Sequence, residues 1–558
     1  MRMLYQNQIN RIKNFINVQP NVFIIVLASV YLFPSLFLYF VSEDIKFAVL
    51  FRDHSFFENL RNIWFPSGEF LNKGYLFRPI ISSINLIEYS LWGINPFGYH
   101  LTNALTHIIN SLLLYHFSLI LLNNRKLSII STAIFILHPI LGHSIFWISG
   151  RTDMISLGFY LSSLIYIIHF IKENELKLLV ISQLFFLCAI LSKEIAITIP
   201  LAQYLIIYWK KDKEKIENGL KQLIAKVILS NILVLFLFFS YRYLIFNQSP
   251  FIIDDMYNIG GYSQLVLNTI KIISFLVVPF GHSLLETYLL DYKLYLIVLF
   301  VPICIKGLIF LYSNRIKYHT LIMVLLMLFI SVIPLFKLTM RWYLYVPSSF
   351  FSILLAIIII KSKARSKILY FGMLLYLGLF MAGCMINYNT WINNAKTSKI
   401  LVDGLLKKIK TNSNAETFII LNFPAKIHRT ATFVDGFESF IDLKTDDKKR
   451  ILRPLNVVHE ANIKPTAVNV QNETFILNAC EESSYFLLGS NEQRLGLRSL
   501  SPGDFIKMDS GSVTIQKVNE KGKPIRVALS LNDSLIDDDI CYLYFDEHKQ
   551  IYKVLNSL

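Results

Sequence analysis

The sequence predicts an α-helical polytopic membrane protein with a small β-rich domain at its C-terminal end. Of the 558 residues, 54% are hydrophobic and only 16% are charged. That is too little charge to cover the surface of a soluble protein of this size. The apolar residues occur in runs of about 20, the length that crosses a bilayer core as a helix. After about Asn389 the composition becomes mixed, and short alternating apolar patterns separated by turn residues predict strands.

The first apolar run, at residues 22–41, follows Arg2, Arg11 and Lys13. It is too long for the apolar region of a cleavable signal, so it is interpreted as the first membrane helix. With the later runs, this gives about 11 predicted spans. The later runs lie near residues 97–122, 127–146, 154–171, 178–191, 195–209, 227–248, 290–312, 319–336, 345–360 and 368–388. The sequence therefore predicts a transmembrane domain over 1–395, with a long first outer loop at 42–97, and a β-rich domain over 396–558.

Basic clusters indicate the orientation of the helices. Lysine and arginine gather in short loops such as Arg125-Lys126, Lys210 to Lys226 and Lys361 to Lys367. With the basic N-terminus, these loops fall on one face, which the positive-inside rule makes cytoplasmic. The C-terminal domain is then extracytoplasmic, and the apolar stretch at 264–280 is an interfacial or re-entrant helix. The net charge of +16 needs no nucleic-acid partner, because no arginine-rich domain with interleaved aromatics is present.

Cysteine and histidine usage gives no sign of a structural zinc site, because none of the five cysteines forms a CxxC or Cys/His cluster. Cys480 and Cys541 lie in the C-terminal domain, and whether they pair stays open.

The first candidate site is the acidic pair Glu43-Asp44, where the first apolar run ends. Desolvating adjacent carboxylates at a membrane boundary is costly, so such residues point to water or to a partner. The functional interpretation is a general base, or a ligand for a divalent cation beside a sugar phosphate. The alternative is a helix end that faces solvent. No cofactor is required by the sequence, and a divalent cation stays open.

The second candidate site follows a proline that breaks an apolar run at its outer end. It contains His138, His143, Arg151 and Asp153. An arginine at a membrane surface suits a lipid-linked phosphate, because guanidinium donors match phosphate oxygens. The alternative is that Arg151 snorkels to the interface and pairs with Asp153.

Three further sites add charge to the same face. Lys193-Glu194 lies between two apolar segments, where a boundary ion pair is a functional hypothesis, with a local pair in a tight hairpin as the alternative. Arg242 lies near an outer helix end, and Arg341 begins a span beside Tyr343. An aromatic belt explains the tyrosines but not Arg341. The predicted outer face therefore carries five cations: Arg78, Arg151, Lys193, Arg242 and Arg341. Such clustering favours an anionic ligand, and a polyprenyl phosphate fits.

These motifs resemble those of the C-type (GT-C) membrane glycosyltransferases. The order of the motifs along the chain is most similar to that in the transmembrane and tetratricopeptide-repeat O-mannosyltransferases, over about residues 40–350. The acidic pair opens the long loop in both. The other shared motifs are Arg78-Pro79, the phrase Leu91 to Asn103, His138-Pro139, Trp147 to Asp153, Leu191 to Glu194, Tyr241-Arg242 and Arg341 to Ser348.

The resemblance implies a GT-C-like fold and a dolichyl- or undecaprenyl-phosphate sugar donor, often mannose, whose carrier phosphate is the leaving group. Independently of the resemblance, the position of the acidic pair predicts that Asp44, assisted by Glu43, activates the acceptor hydroxyl. The chain departs from that family in three places. Glu43 replaces the usual aspartate, His143 stands where the family has an acid, and a β-rich tail replaces the repeats.

The sequence thus predicts a glycosyltransferase that moves a sugar, mannose or another hexose, to an extracytoplasmic acceptor. The acceptor is a protein Ser/Thr hydroxyl, or a glycan or lipid. Two alternatives from other classes are a transporter or flippase of lipid-linked sugars and a non-catalytic membrane scaffold. Against a transporter, the sequence shows no internal repeat of broken helices. A scaffold leaves the acids and cations on one face unexplained.

Overall fold

The structure is a computed structural model, and its described residues fall into two compact units. The first unit holds the described residues up to Phe37 and between Ser55 and Asn387, and the second holds Leu38–His54 and the chain from Tyr388. The described residues are 18–66, 77–210, 219–246, 261–278, 318–336, 339–363, 367–427, 430–433, 436–445, 449–459, 466–471, 474–479, 484–487, 500–508, 511–520, 522–531, 540–546 and 549–555.

The first unit is helical, and within the described residues five helices are long and apolar enough to cross a membrane. They are Pro20–Phe37, Pro96–Leu122, Ser149–Glu173, Leu220–Phe246 and Arg341–Ile360. A sixth candidate is the pair Arg125–Ile136 and Pro139–Ile145, bent by 46° where Pro139 cannot continue the helix. Apolar side chains such as Leu229 and Phe236 are 67% and 65% exposed, as expected of a lipid-facing surface. The prediction of an integral membrane protein is confirmed.

The predicted number of spans is not confirmed. Three more apolar helices in the described residues are shorter: Leu176–Ser192, Asn268–Val277 and Thr320–Leu335. The predicted span at 290–312 lies outside the described residues, and about 11 spans stays a prediction. The stretch predicted as interfacial or re-entrant forms the helix Gly261–Val277.

The loop predicted at 42–97 contains helices of its own. They are Ala48–Arg52, Phe56–Trp64 and Pro79–Trp92. Ser55 and Glu58 form a capping box that begins the second of these. Proline occupies the first position of helix 79–92 and of helix 96–122, where its missing N–H costs no helical hydrogen bond.

The remaining helices of the first unit include an antiparallel pair whose ends carry candidate site residues. Helix Thr152–Glu173 and helix Leu176–Ser192 are joined by a two-residue turn in which Asn174 adopts a left-handed conformation with φ 52°. The others are Ile199–Lys210, Tyr318–Val332 and Tyr345–Lys363. Helix Lys367–Thr411 continues past the boundary predicted at 395/396.

The second unit is rich in β-strands, as predicted. Its described strands are β1 (Thr417–Ile420), β2 (Phe423–Ile427), β3 (Thr430–Ala431), β4 (Arg450–Leu452), β5 (Asn456–His459), β6 (Thr466–Gln471), β7 (Thr474–Ala479), β8 (Ser484–Leu487), β9 (Phe505–Met508), β10 (Gly511–Val518), β11 (Pro524–Leu531), β12 (Ile540–Asp546) and β13 (Ile551–Val554). They form sheets in the orders β13-β12-β1-β4, β6-β7-β11-β10-β9 and β3-β2-β5-β8. The helix Phe437–Lys444 lies between β3 and β4 in the chain.

The sheets of the second unit are of two kinds. Strand β1 is parallel to both β12 and β4, and β2 is parallel to β5, so two sheets are mixed. The five-stranded sheet is antiparallel throughout. Its alternating side chains, such as Val513 and Ile515, enter a core that also includes Leu477 and Val527. The predicted strands at Thr417, Ser484 and Cys541 are all present, whereas Cys480 lies outside the described residues.

Candidate functional site

Lys193 and Asp153 meet at one end of two antiparallel helices. Asp153 lies in the first turn of helix 152–173, where the helix dipole favours a carboxylate, and Lys193 directly follows helix 176–192. Because only two residues connect the helices at their other ends, the start of the first lies beside the end of the second. Lys193 Nζ is 3.7 Å from Asp153 Oδ2, and the two side chains are 8% and 0% exposed. Both charges are therefore buried beside each other.

Lys193 is not held in a tight ion pair. Its separation from Asp153 exceeds direct hydrogen-bond distance. Its ammonium lies instead over the ring of Tyr343, 4.3 Å from the centroid, in a cation–π contact. Asp153 Oδ1 is buried without a hydrogen-bond partner among the described residues. Both groups keep bonding capacity for a ligand.

Arg78 and Glu194 form the neighbouring ion pair. Arg78 Nη2 and Nε donate to the two carboxylate oxygens of Glu194 at 2.9 and 3.3 Å. The Arg78 side chain is 12% exposed and that of Glu194 is 46% exposed. Glu194 therefore pairs with Arg78, and Lys193 faces Asp153, so the predicted alternative of a local Lys193–Glu194 pair in a hairpin is wrong. Arg78, Asp153, Lys193, Glu194 and Tyr343 are referred to below as the Lys193 cluster.

The cluster changes the acidity of its members. Burial opposes ionisation of Glu194, but the charges of Arg78 and Lys193 outweigh it and lower the pKa of Glu194 to about 2. Burial lowers the pKa of Lys193 below its ordinary value, although Asp153 acts in the opposite direction. Glu194 is thus a permanent counter-ion for Arg78 at neutral pH and too weak a base to take a proton from a hydroxyl.

The pKa of Glu194 predicts how stability depends on pH. Because the folded pKa lies below the ordinary value of 4.5, the pair stabilises the protein fully above pH 4.5 and loses this contribution as pH falls towards 2. We therefore expect Glu194→Gln to lower the melting temperature at pH 7, with the difference from wild type shrinking below pH 4.5. Thermal unfolding in detergent from pH 3 to 7 measures this.

The matched control for that measurement is Glu175→Gln. Glu175 is also 46% exposed, but its partner Lys177 is 71% exposed, so the pair is solvent-screened. We expect little change in melting temperature at any pH. Equal effects of the two substitutions at pH 7 would contradict the role given to the Arg78–Glu194 pair.

Arg151 forms a buried ion pair with Glu88. Its Nη1 atom lies 2.6 and 2.7 Å from the two carboxylate oxygens of Glu88, and its Nε donates to the carbonyl of Ile148 at 3.0 Å. The side chains of Arg151 and Glu88 are 1% and 4% exposed. The predicted alternative, in which Arg151 snorkels and pairs with Asp153, is therefore wrong. Sequence reasoning missed Glu88, although it follows the buried Ile81 by seven positions, on the same helix face.

A second buried network was also missed. His107 Nδ1 lies 2.6 Å from the Tyr345 hydroxyl, and Asn110 donates to that hydroxyl at 3.3 Å and to the carbonyl of Met154 at 2.7 Å. The network joins helices 96–122, 152–173 and 345–363. It therefore fixes the relative positions of the helix ends that carry Asp153 and Tyr343.

The predicted histidines lie in the bent segment after helix 125–136. His138 accepts a hydrogen bond from the amide of Ile140 at 3.3 Å and so begins the turn at Pro139. His143 is 5% exposed and interacts electrostatically with Arg341. Arg341 is half-buried and begins the 3-10 turn Arg341–Leu344 that also holds Tyr343. Arg341 therefore lies in the same turn as Tyr343 of the Lys193 cluster and close to His143.

Arg242 is not joined to the Lys193 cluster by a hydrogen bond or ion pair within the described residues. Its guanidinium lies over the ring of Phe246 on the same helix, at 5.7 Å. The adjacent Tyr241 donates to the carbonyl of Trp64 at 2.5 Å, which ties this helix end to the first loop. The role of Arg242 in phosphate binding stays a prediction.

Glu43 and Asp44 lie in the second unit. Asp44 is fully buried, and its Oδ2 accepts a hydrogen bond from the amide of Val41 at 2.9 Å. Within the turn from Val41 to Asp44, Ser42 has a left-handed φ of 54°. Glu43 is half-buried. The interpretation of this pair as a solvent-facing helix end is wrong for Asp44, whose carboxylate holds a tight turn.

A metal site was left open by the sequence. Within the described ranges, no group of three or more His, Cys, Asp or Glu residues is placed to hold a metal ion.

Comparisons with known proteins find local sequence similarity. No protein-family model matches the chain. A stretch of 94 residues is 36% identical to Protein O-mannosyl-transferase TMTC2 of Homo sapiens and covers 17% of this chain and 11% of that protein. A stretch of 121 residues is 29% identical to Protein O-mannosyl-transferase Tmtc1 of Drosophila melanogaster and covers 22% and 14%. The resemblance to this family is confirmed, over little more than a tenth of the length of these curated relatives.

Solved structures with partial backbone similarity to this chain include two enzymes. ArnT from Cupriavidus metallidurans, bound to undecaprenyl phosphate, has 12% identity and a TM-score of 0.42, covering 78% of this chain and 92% of that chain. Archaeal oligosaccharyltransferase AglB from Archaeoglobus fulgidus, in complex with an inhibitory peptide and a dolichol-phosphate, has 11% identity and a TM-score of 0.41, covering 80% and 70%.

Proposed function

We propose that this protein is a membrane glycosyltransferase that takes a sugar, with mannose as the first candidate, from a polyprenyl-phosphate carrier. The acceptor is a protein Ser/Thr hydroxyl, or a glycan or lipid, on the extracytoplasmic side. The observation that carries the proposal is the Lys193 cluster, which buries two cations at the ends of apolar helices. The local similarity to O-mannosyl-transferases supports sugar transfer. The basic loops support a cytoplasmic N-terminus and an extracytoplasmic C-terminal domain.

A phosphate ligand needs a cation in addition to the charges of the Lys193 cluster. Arg78 and Lys193 are balanced by Asp153 and Glu194 in the resting structure. A lipid phosphate therefore needs a further cation, and Arg341 supplies one, two residues before Tyr343. Lys193 can give a phosphate oxygen the direct hydrogen bond that it does not make to Asp153. The phosphate ligands are thus Lys193, Arg341 and Arg78, with Arg242 as a further candidate, and Arg151 is assigned to the Glu88 pair.

In the proposed reaction the acidic pair activates the acceptor, and the cations stabilise the leaving group. Asp44, with Glu43 assisting, takes the proton of the acceptor hydroxyl as its oxygen attacks the anomeric carbon of the sugar. The bond from that carbon to the phosphate oxygen breaks, and polyprenyl phosphate leaves with the bonding electrons. The cations stabilise the charge that develops on the leaving phosphate. Attack opposite the leaving group inverts the anomeric configuration.

Donor titration of Arg341 variants tests the phosphate site. A charge-assisted hydrogen bond contributes enough that losing it should weaken apparent donor affinity by about tenfold to a hundredfold. We expect Arg341→Ala to show this loss. We expect Arg341→Lys to lie between it and wild type, because a lysine offers a point charge where a guanidinium offers paired donors. Acceptor affinity should change little in both.

Arg125→Ala is the matched control, because Arg125 also begins an apolar helix but lies in a loop predicted to be cytoplasmic. Its donor affinity should equal that of wild type. Unchanged donor affinity in both Arg341 variants would remove Arg341 from the site and leave Lys193, Arg78 and Arg242 as candidate ligands.

A further inference from the structure

The segment that carries the acidic pair packs on the C-terminal domain. Residues Leu38–His54 belong to the same compact unit as the chain from Tyr388. Just before the pair, the rings of Phe40 and Tyr39 meet the ring of Phe440 edge to face, with centroids 5.5 and 5.9 Å apart. Phe440 lies on helix 437–444. An aromatic contact therefore anchors one side of the acidic turn.

Polar contacts anchor the turn itself and its other side. The amide of Ser42 donates to the carbonyl of Thr432. After the pair, Arg52 Nη1 lies 3.1 Å from Asp442 Oδ2 and 3.3 Å from the Asp442 carbonyl oxygen. Arg52 and Asp442 are each about 30% exposed, so this contact is partly shielded from water.

Gly436 lies directly against the acidic turn. Its φ of +80° is left-handed, a conformation that costs glycine little. A Cβ atom at this position would lie 3.2 Å from Lys46 Cβ and 3.5 Å from Glu43 Cα. The first distance is tighter than an ordinary van der Waals contact, so an added side chain would press on the segment 43–46.

We propose that the C-terminal domain positions the Glu43–Asp44 turn, with Gly436, Thr432, Phe440 and Asp442 as positioning residues. The contacts lie before, within and after the turn, so its backbone is fixed at three points. The catalytic meaning of this inference rests on the proposed function of Asp44, whereas the structural coupling does not. The domain is then a part of the catalytic apparatus that acts through the turn.

The test compares Gly436→Ala with Gly503→Ala in the full-length protein. Gly503 also has a left-handed φ, +95°, but a Cβ there would meet nothing within 4 Å. Both variants thus carry the backbone strain of a left-handed alanine, and only the first presses on the turn. Hydrogen–deuterium exchange of residues 42–46 is the first readout. We expect faster exchange in Gly436→Ala alone, and equal exchange in both variants would overturn the inference.

Sugar transfer is the second readout. A displacement of about 1 Å can cost on the order of a hundredfold in rate, so we expect Gly436→Ala to lower kcat strongly with donor KM unchanged. Gly503→Ala should keep both values. A fall in kcat and donor affinity together in Gly436→Ala would indicate general damage and overturn the positioning role.

Exchanging the charges of Arg52 and Asp442 gives a second test, which does not depend on the folding of the glycine variant. Arg52→Asp alone should speed exchange in residues 42–46 and lower kcat, and adding Asp442→Arg should restore both. No restoration would overturn the role of this pair. If wild type transfers no sugar from polyprenyl-phosphate mannose, the proposed function fails, while the exchange data still decide the coupling.

Discussion

Asp44→Asn should lower turnover by about 10²–10⁴-fold, the contribution of a positioned general base. The asparagine keeps the shape of the aspartate, and its side-chain oxygen can still accept the hydrogen bond from the amide of Val41. The turn should therefore persist while the group that takes the acceptor proton is lost. Single-turnover transfer at saturating donor, with the melting temperature measured in parallel, checks both parts.

Asp53→Asn is the control for that experiment. Asp53 lies on the same segment, but its side chain is 69% exposed and its partner is the neighbouring Arg52. We expect turnover close to wild type. Wild-type turnover in Asp44→Asn would assign the base to another group, with His143 the next to test.

Glu88→Gln should be strongly destabilising, by about 3–5 kcal/mol, because it leaves a buried guanidinium without its counter-charge. Glu88 and Arg151 are almost fully buried, and the two carboxylate oxygens of Glu88 both contact Arg151 Nη1. The free energy of unfolding in mixed micelles, obtained from the midpoint of denaturation, measures the loss.

The double variant Glu88→Leu with Arg151→Met distinguishes a charge effect from a packing effect. Apolar residues of similar size remove both buried charges, so we expect the double variant to recover most of the stability. If the double variant were as unstable as Glu88→Gln, the loss would reflect packing, and the ion-pair account would be wrong.

Much of the fold was predictable because span length and strand alternation are local signals. The run predicted at 97–122 is the helix Pro96–Leu122, and the strand predicted at Thr417 is β1. The domain boundary was less predictable. Helix 367–411 continues through a change in composition, because buried apolar residues keep a helical spacing among the polar ones, as at Trp391, Ala395, Val402 and Leu405.

The candidate site was predictable in its members but not in its pairs. Arg151 and Asp153 are only two positions apart in the sequence, yet residues at that spacing on a helix point in different directions, so they do not pair. Asp153 instead faces Lys193, forty positions later in the numbering, because a short turn makes their helices antiparallel. The His107–Tyr345 contact joins residues from distant helices, and no local pattern reports such a contact.

The central claim is that the bond between the sugar and the carrier phosphate is broken. The most direct measurement uses polyprenyl-phosphate mannose with different radiolabels in the lipid and the sugar, purified protein in proteoliposomes, and a Ser/Thr-containing peptide or a membrane extract as acceptor. The account predicts that labelled polyprenyl phosphate and labelled acceptor appear in equal amounts, and that Asp44→Asn forms both about 10²–10⁴ times more slowly. A carrier that crosses the bilayer with both labels still joined would contradict the account and indicate a flippase.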